Sequence, residues 1–242
     1  MGTQHRLTLF VLLAILAVPF RVEALTCSNP VGANTATPVD PKTIASYTTP
    51  AGTSQVGFVF SGIRTTTINI NSVTWGGVAM TPISAQAFLS PVATRPFVLV
   101  NPPPGTNNIV IDYSATPLAD AAVVVVCSDA DTASPYHDAT SVTGTNSTVV
   151  ATVANPASGE ILLDFFIQDL LTSAPTEGAD QTVLSKGTDT AELGYGSSQQ
   201  PGAAGGDMRW TTGLSEQFSI QALAVKPAAS SAVNFFKRRL AP

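Results

Sequence analysis

The stretch "VVVVCSDADTASPYHDA" (residues 123–139) places Asp129, Asp131, His137 and Asp138 within ten residues, just after an apolar run that ends in Cys127. Histidine and carboxylates at this spacing invite three chemistries. A serine hydrolase would have to use His137, because the chain's other histidine, His5, lies in the first two dozen residues. No Gly-x-Ser-x-Gly stretch precedes a helical pattern, as a nucleophile elbow requires, so the chain is not expected to be an enzyme. Zinc wants three or four Cys, His or carboxylate ligands, and one histidine cannot supply the usual set. Calcium takes carboxylates and loop carbonyls, which makes Asp129, Asp131 and Asp138 a candidate set, although EF-hand spacing is absent. The competing reading is that Asp and Ser accept hydrogen bonds from nearby backbone N–H groups and cap turns. No other cofactor is expected.

A further chemistry is sugar binding, in which an aromatic ring lies on a sugar face and a few polar groups fix its orientation. Trp210, beside Arg209 after the Gly-rich "PGAAGGD", is the candidate exposed platform, with Tyr195, Tyr136 and His137 as further ligand-binding candidates. Trp75 precedes Gly76-Gly77 at a strand end and reads instead as a core plug. Asp164 stands alone in an apolar run and is expected to face solvent or a turn. Pairs of carboxylates suited to glycoside hydrolysis are too easily found among so many acids to mean anything. Asn146 opens an Asn-Ser-Thr sequon, a glycosylation acceptor on an exported chain.

These residues must be carried by something, and the N-terminus says where. Arg6, an apolar run from Leu7 to Phe20 and a small residue at Ala24 describe a secretory signal peptide over residues 1–24. The run is too short, and too soon followed by Arg21, to favour a membrane anchor, and no later stretch is long enough to span a bilayer. Taking 24 residues from 242 leaves 218, and removing Arg6, Arg21 and Glu23 leaves 9 basic and 15 acidic residues, a net charge of −6. A nucleic-acid or anionic-membrane partner is therefore not expected. In an oxidising compartment the two cysteines, Cys27 and Cys127, are expected to pair. The chain should be secreted, extracellular or on the cell surface.

The dominant pattern is short strands between turns. "SQVGFVFSG" (54–62), "TTINI" (66–70), "RPFVLVNP" (95–102), "NNIVIDYS" (107–114), "AAVVVVCS" (121–128), "STVVATVA" (147–154), "EILLDFFIQDLL" (160–171) and "QFSIQALAVKP" (217–227) read as strands. Residues 121–128 are apolar on both faces and should form a central strand buried on both sides. Only residues 166–172 hint at a helical period. Asn101-Pro102, Pro104-Gly105, Asn155-Pro156, Ser158-Gly159 and Gly205-Gly206 are turn chemistry, and residues 197–207 read as a loop. The expected fold is all-β, an antiparallel two-sheet β-sandwich of the jelly-roll or Ig-like kind, over residues 25–227. The last segment, 228–242, changes composition: a small-residue spacer precedes Phe235, Phe236, Lys237, Arg238 and Arg239, a candidate interaction tail.

In their order along the chain, "VTWGGVAMTPI" (73–83), "FVLVNPPPGTNNIVIDYSA" (97–115), "AAVVVVCSDADTASPYHDATSVTGTNST" (121–148), "SGEILLDFFI" (158–167) and "SIQALAVKP" (219–227) resemble a recurrent β-sandwich module. That module occurs in secreted bacterial and archaeal surface proteins and in phage tail proteins. The resemblance implies a non-enzymatic extracellular sandwich and carries no catalytic residues. The chain departs from the pattern at Cys127, where a small or hydroxyl residue is ordinary, and in the acids and His137 that follow. The expectation is an exported structural or adhesive protein that works through protein partners or self-association. The alternative is a carbohydrate-binding module for glycans, calcium-assisted.

Overall fold

A computed structural model of the chain describes residues 24–189 and 193–229. The expected signal peptide and the tail residues Phe235, Phe236, Lys237, Arg238 and Arg239 lie outside the described residues. Ala24–Ala228 form one compact unit. Its first eight strands are β1 (Thr26–Thr35), β2 (Lys42–Thr49), β3 (Val56–Arg64), β4 (Ile70–Trp75), β5 (Val78–Ala79), β6 (Thr81–Pro82), β7 (Ala87–Leu89) and β8 (Val92–Val100). The next eight are β9 (Gly105–Tyr113), β10 (Ala119–Ser128), β11 (Tyr136–Thr152), β12 (Ile161–Asp169), β13 (Thr176–Glu177), β14 (Thr182–Thr188), β15 (Leu193–Pro201) and β16 (Asp207–Val225). Among the described residues there is no α-helix, hence none long and apolar enough to cross a membrane. Of residues 166–172, read as the one helical hint, 166–169 belong to β12.

The fold is an all-β antiparallel sandwich, with three sheets among the described residues. A central sheet runs β1-β10-β3-β8-β6, with β7 also on β8; a second runs β2-β9-β4-β5; a third runs β11-β16-β12-β15-β14, with β13 also on β16. The apolar runs of β3 and β10 explain why the first sheet is central. Their residues alternate between two interiors, so neither face can be left in water. Phe58, Phe60, Val123 and Val125 face Leu163, Phe165 and Ile167 of the third sheet. Val59, Ile63, Val124 and Val126 face Ile109, Ile111, Val73 and Trp75 of the second. Each such fully buried side chain contributes roughly 1.5–3 kcal/mol.

Trp75 is a core plug: it is fully buried, meets Tyr47 edge-on at 5.0 Å, and lies so close to Gly57 that a Cβ there would stand 2.6 Å from its ring. Cys27 and Cys127 sit directly opposite one another on β1 and β10 and form a disulfide.

The third sheet has an outer core as well. β16 pairs with β12 over Phe218–Val225, while its first half, still paired to β11, carries Met208 and Trp210 onto the outer face of β12 and β15. Trp210 stacks on Phe166 at 6.0 Å and lies against Gly196, where a Cβ would meet the indole at 2.6 Å. The 197–207 segment is thus not all loop: residues 197–201 end β15, and a 3-10 turn, Gly202–Ala204, follows.

Candidate functional site

The loop after β10 uses its acids one at a time. Asp129, at φ 59°, accepts the Thr53 hydroxyl at 2.7 Å. Asp131 accepts the N–H groups of Ala133 (2.9 Å) and Ser134 (3.1 Å), the arrangement of a capped turn. Desolvation pushes the Asp131 carboxyl up, but the N–H groups of Ser134 and Ala133, with Lys226, outweigh it and hold it below the ordinary carboxylate range. Asp138, at φ 48° where β11 bulges between His137 and Thr140, takes His137 Nδ1 at 2.7 Å. The candidate calcium set, Asp129, Asp131 and Asp138, is therefore not gathered around one point. No group of three or more His, Cys, Asp or Glu side chains that could hold a metal ion occurs among the described residues.

His137 finds a partner that local spacing could not announce. Its Nε2 lies 2.9 and 3.0 Å from the two carboxylate oxygens of Glu160, which also takes the Ala157 N–H at 2.7 Å. The sheet explains the meeting: His137 and Leu162 both register against Ala224 of β16, so the residues before β12 come beside the start of β11. Glu160 above all, against desolvation, and then Asp138 raise the His137 pKa above its ordinary value. Tyr136 is half-buried against the main core.

Three further residues lie where the sequence did not place them: the curl of β16 buries Trp210 and Asp164, and the main core takes Tyr195. Trp210, expected as an exposed platform, is fully buried, because Gly196 leaves a flat seat for its ring. Tyr195 is buried too, and its hydroxyl meets Ser185 Oγ at 3.1 Å. Asp164, expected to face solvent or a turn, is completely buried beneath Trp210. The alternation of β12 did put Leu162, Asp164 and Phe166 on one face, but that face is roofed rather than wet. Asp164 Oδ2 accepts Trp210 Nε1–H at 2.7 Å and the Gln181 amide at 3.3 Å. Its Oδ1 accepts the Ser198 N–H at 2.6 Å and the Ser198 hydroxyl at 2.9 Å. Burial pushes the Asp164 carboxyl up to about 7 in spite of the donors from Trp210 and Ser198.

Gln181 closes this network, donating to Ser198 Oγ at 2.6 Å and accepting the Arg209 N–H at 2.6 Å. Outside it lies an open cleft of about 620 Å³ lined by Gly178–Gln181, Gln200, Ala204–Asp207 and Arg209. Its walls are polar and glycine-rich, and no aromatic ring faces it.

One edge of the third sheet is β11. β11 is 17 residues long, pairs with β16 alone among the described strands, and contains no lysine, arginine or proline. Between its bulges, Thr140–Asn146 run in regular register against Ala222–Glu216, with Ser141, Thr143 and Thr145 exposed. Asn146 is exposed at the second bulge.

No protein-family model matches the sequence, and no curated protein matches it. Among solved structures the chain is similar to the major capsid protein P2 from bacteriophage PM2, with a TM-score of 0.26, 11% identity, and coverage of 84% of this chain and 99% of that one. An overlap this loose carries no argument about function.

Proposed function

We propose that the chain is an exported, non-enzymatic structural protein of the cell surface or extracellular space that works by contact with other protein chains, copies of itself included. The observation that carries this reading is the β11 edge. An edge strand offers a row of backbone N–H and C=O groups, and folds that stay monomeric blunt such edges with lysine, proline or short length. Over Thr140–Asn146 this strand has none of these. An incoming extended segment could add to it as a further strand. Export is supported by the Cys27–Cys127 disulfide, a bond at home in oxidising compartments. The tail residues Phe235, Phe236, Lys237, Arg238 and Arg239 are proposed to add to the contact. Size-exclusion chromatography and electron microscopy of residues 25–242, with and without 228–242, test the reading. Concentration-dependent assembly supports it, and strict monomers in both forms refute self-association.

A glycan-binding reading is favoured by a different observation, the polar cleft with Asp180, Asp207 and Arg209 on its walls. Hydroxyl-rich ligands suit such donors and acceptors. Binding on a glycan array, with and without calcium, that is lost in Arg209→Ala would support it. No binding in either condition would end it.

A further inference from the structure

Lys42 and Asp120 meet at one end of the interface between the central and second sheets. Lys42 lies on the edge strand β2 and turns inward with Ile44. Asp120 lies on the central strand β10, in step with Ala122, Val124 and Val126, and points into the same interior. Lys42 is 6% exposed and Asp120 is not exposed at all. Lys42 Nζ contacts Asp120 Oδ1, its one hydrogen-bond partner among the described residues. Tyr113 Oη stands 3.5 Å from Asp120 Oδ2.

As an ion pair this is a poor arrangement. An ammonium carries three donors, and the protein supplies an acceptor for one of them among the described residues. Two charges taken out of water lose hydration that is offset only when the remaining donors and lone pairs are satisfied. Passing one proton from Nζ to the carboxylate removes both charges. It also leaves a neutral amine held against a neutral carboxylic acid, at a nearly buried corner of the sandwich. Those are the two reactants of amide condensation, and confinement by the fold replaces the bimolecular encounter.

We propose that Lys42 Nζ and Asp120 Cγ are joined by an isopeptide bond that the folded chain forms on itself. The Nζ lone pair attacks Cγ, the N–C bond forms, and negative charge gathers on the carbonyl oxygen. Tyr113 Oη, beside Oδ2, is the donor placed to steady that charge. The other oxygen leaves as water, carrying the proton first passed to the acid and one more from Nζ. Ammonium and carboxylate go in, amide and water come out, and no oxidant or co-reactant is needed. Burial, and then the Asp120 charge, hold the Tyr113 phenol well above its usual range, so it stays a donor. Burial likewise raises the Asp120 pKa, against the pull of Lys42, which favours the protonated acid.

The bond would fasten β2 to the strand that Cys127 fastens to β1. Both N-terminal strands would then be covalently held on β10, at its opposite ends. Such a closure suits a chain that must resist pulling or proteolysis outside the cell. It stands whether or not the β11 edge mediates assembly.

The test is the mass of the purified full-length protein, denatured and reduced, followed by tryptic mapping. The expected mass is one water below that of the sequence after any leader removal. Trypsin should fail to cut after Lys42, and a branched peptide should join the Lys42 and Asp120 segments. Asp120→Ala and Lys42→Arg should restore the missing water. Asp120→Asn should give the same branched product by loss of ammonia. A wild-type mass with no water missing, together with cleavage after Lys42, overturns the proposal, and that reading does not depend on any variant folding.

Discussion

Replacing Asp164 by asparagine removes a carboxylate that is completely buried and surrounded only by donors. Its pKa stands at about 7 in the folded chain against an ordinary 3.8. At 1.36 kcal/mol per unit that difference is worth about 4 kcal/mol, a large share of the 5–15 kcal/mol by which domains are usually stable. The folded state holds the proton more tightly than the unfolded one. The group is therefore least costly to the fold below about pH 4. Stability falls as the pH rises from there to about 7 and levels off beyond. The substituted asparagine does not titrate. It does turn an amide N–H toward either Trp210 Nε1–H or the Ser198 N–H, a penalty of about 1–3 kcal/mol that is independent of pH. Urea unfolding of both proteins from pH 4 to 8.5 separates the two effects. The gap between the curves should move by about 4 kcal/mol in favour of Asp164→Asn across that range. Contributions from His137 and every other titrating group are common to both proteins and cancel in the gap. Parallel curves would refute the burial argument.

Three other outcomes follow from the same physics. Trp210→Phe keeps most of the stacking on Phe166 but withdraws a donor from the carboxylate. It should cost about 1.5–3 kcal/mol above pH 7 and raise the pH at which the Asp164 decline ends, both read from the same urea series. Cys27→Ser with Cys127→Ser opens a closure spanning 100 residues. In the chain-entropy model it should lower stability by about 4–5 kcal/mol relative to the oxidised wild type, and the reduced wild type should show the same loss. The His137 pKa is raised by Glu160 and Asp138, so its contribution is complete below about pH 6.5 and is lost as the pH climbs through the folded value. The ring is 30% exposed, so the contribution is under about 1 kcal/mol. His137→Ala should flatten the stability profile in that window.

Much of the fold was legible where backbone chemistry leaves no choice. The turn pairs marked by Asn101, Gly105, Asn155, Gly159 and Gly205 all place that residue at positive φ. The unbroken apolar run of β10 lies buried between β1 and β3. What was missed lacks an alternating apolar signal. β1 and β2 are edge strands rich in Thr, Ser and Asn, and β11 begins 11 residues earlier than its valines suggest, as a hydroxyl-rich ribbon. The second half of β15, 197–201, reads as loop because it carries serine and glutamine before a proline and glycines, and the first half holds the Gly196 that seats Trp210. The candidate site suffered most from long-range geometry. Nothing in the neighbourhood of Asp164 says that the first half of β16 will fold over it, and nothing near His137 points to Glu160. The second sheet was hidden for the same reason, since β2, β9 and β4 are brought together only by pairing.

Sedimentation velocity on residues 25–242 over a wide concentration range, beside the Ser141→Lys/Thr143→Lys variant, bears most directly on how this protein works. Both side chains are exposed on the free edge strand, so the lysines should change the stability of the monomer by no more than about 0.5 kcal/mol. They should also block the approach of another strand. The account predicts species larger than a monomer that grow with concentration in the wild type and are absent in the variant. Identical monomeric profiles for the two proteins, or assembly that the lysines leave untouched, would contradict it.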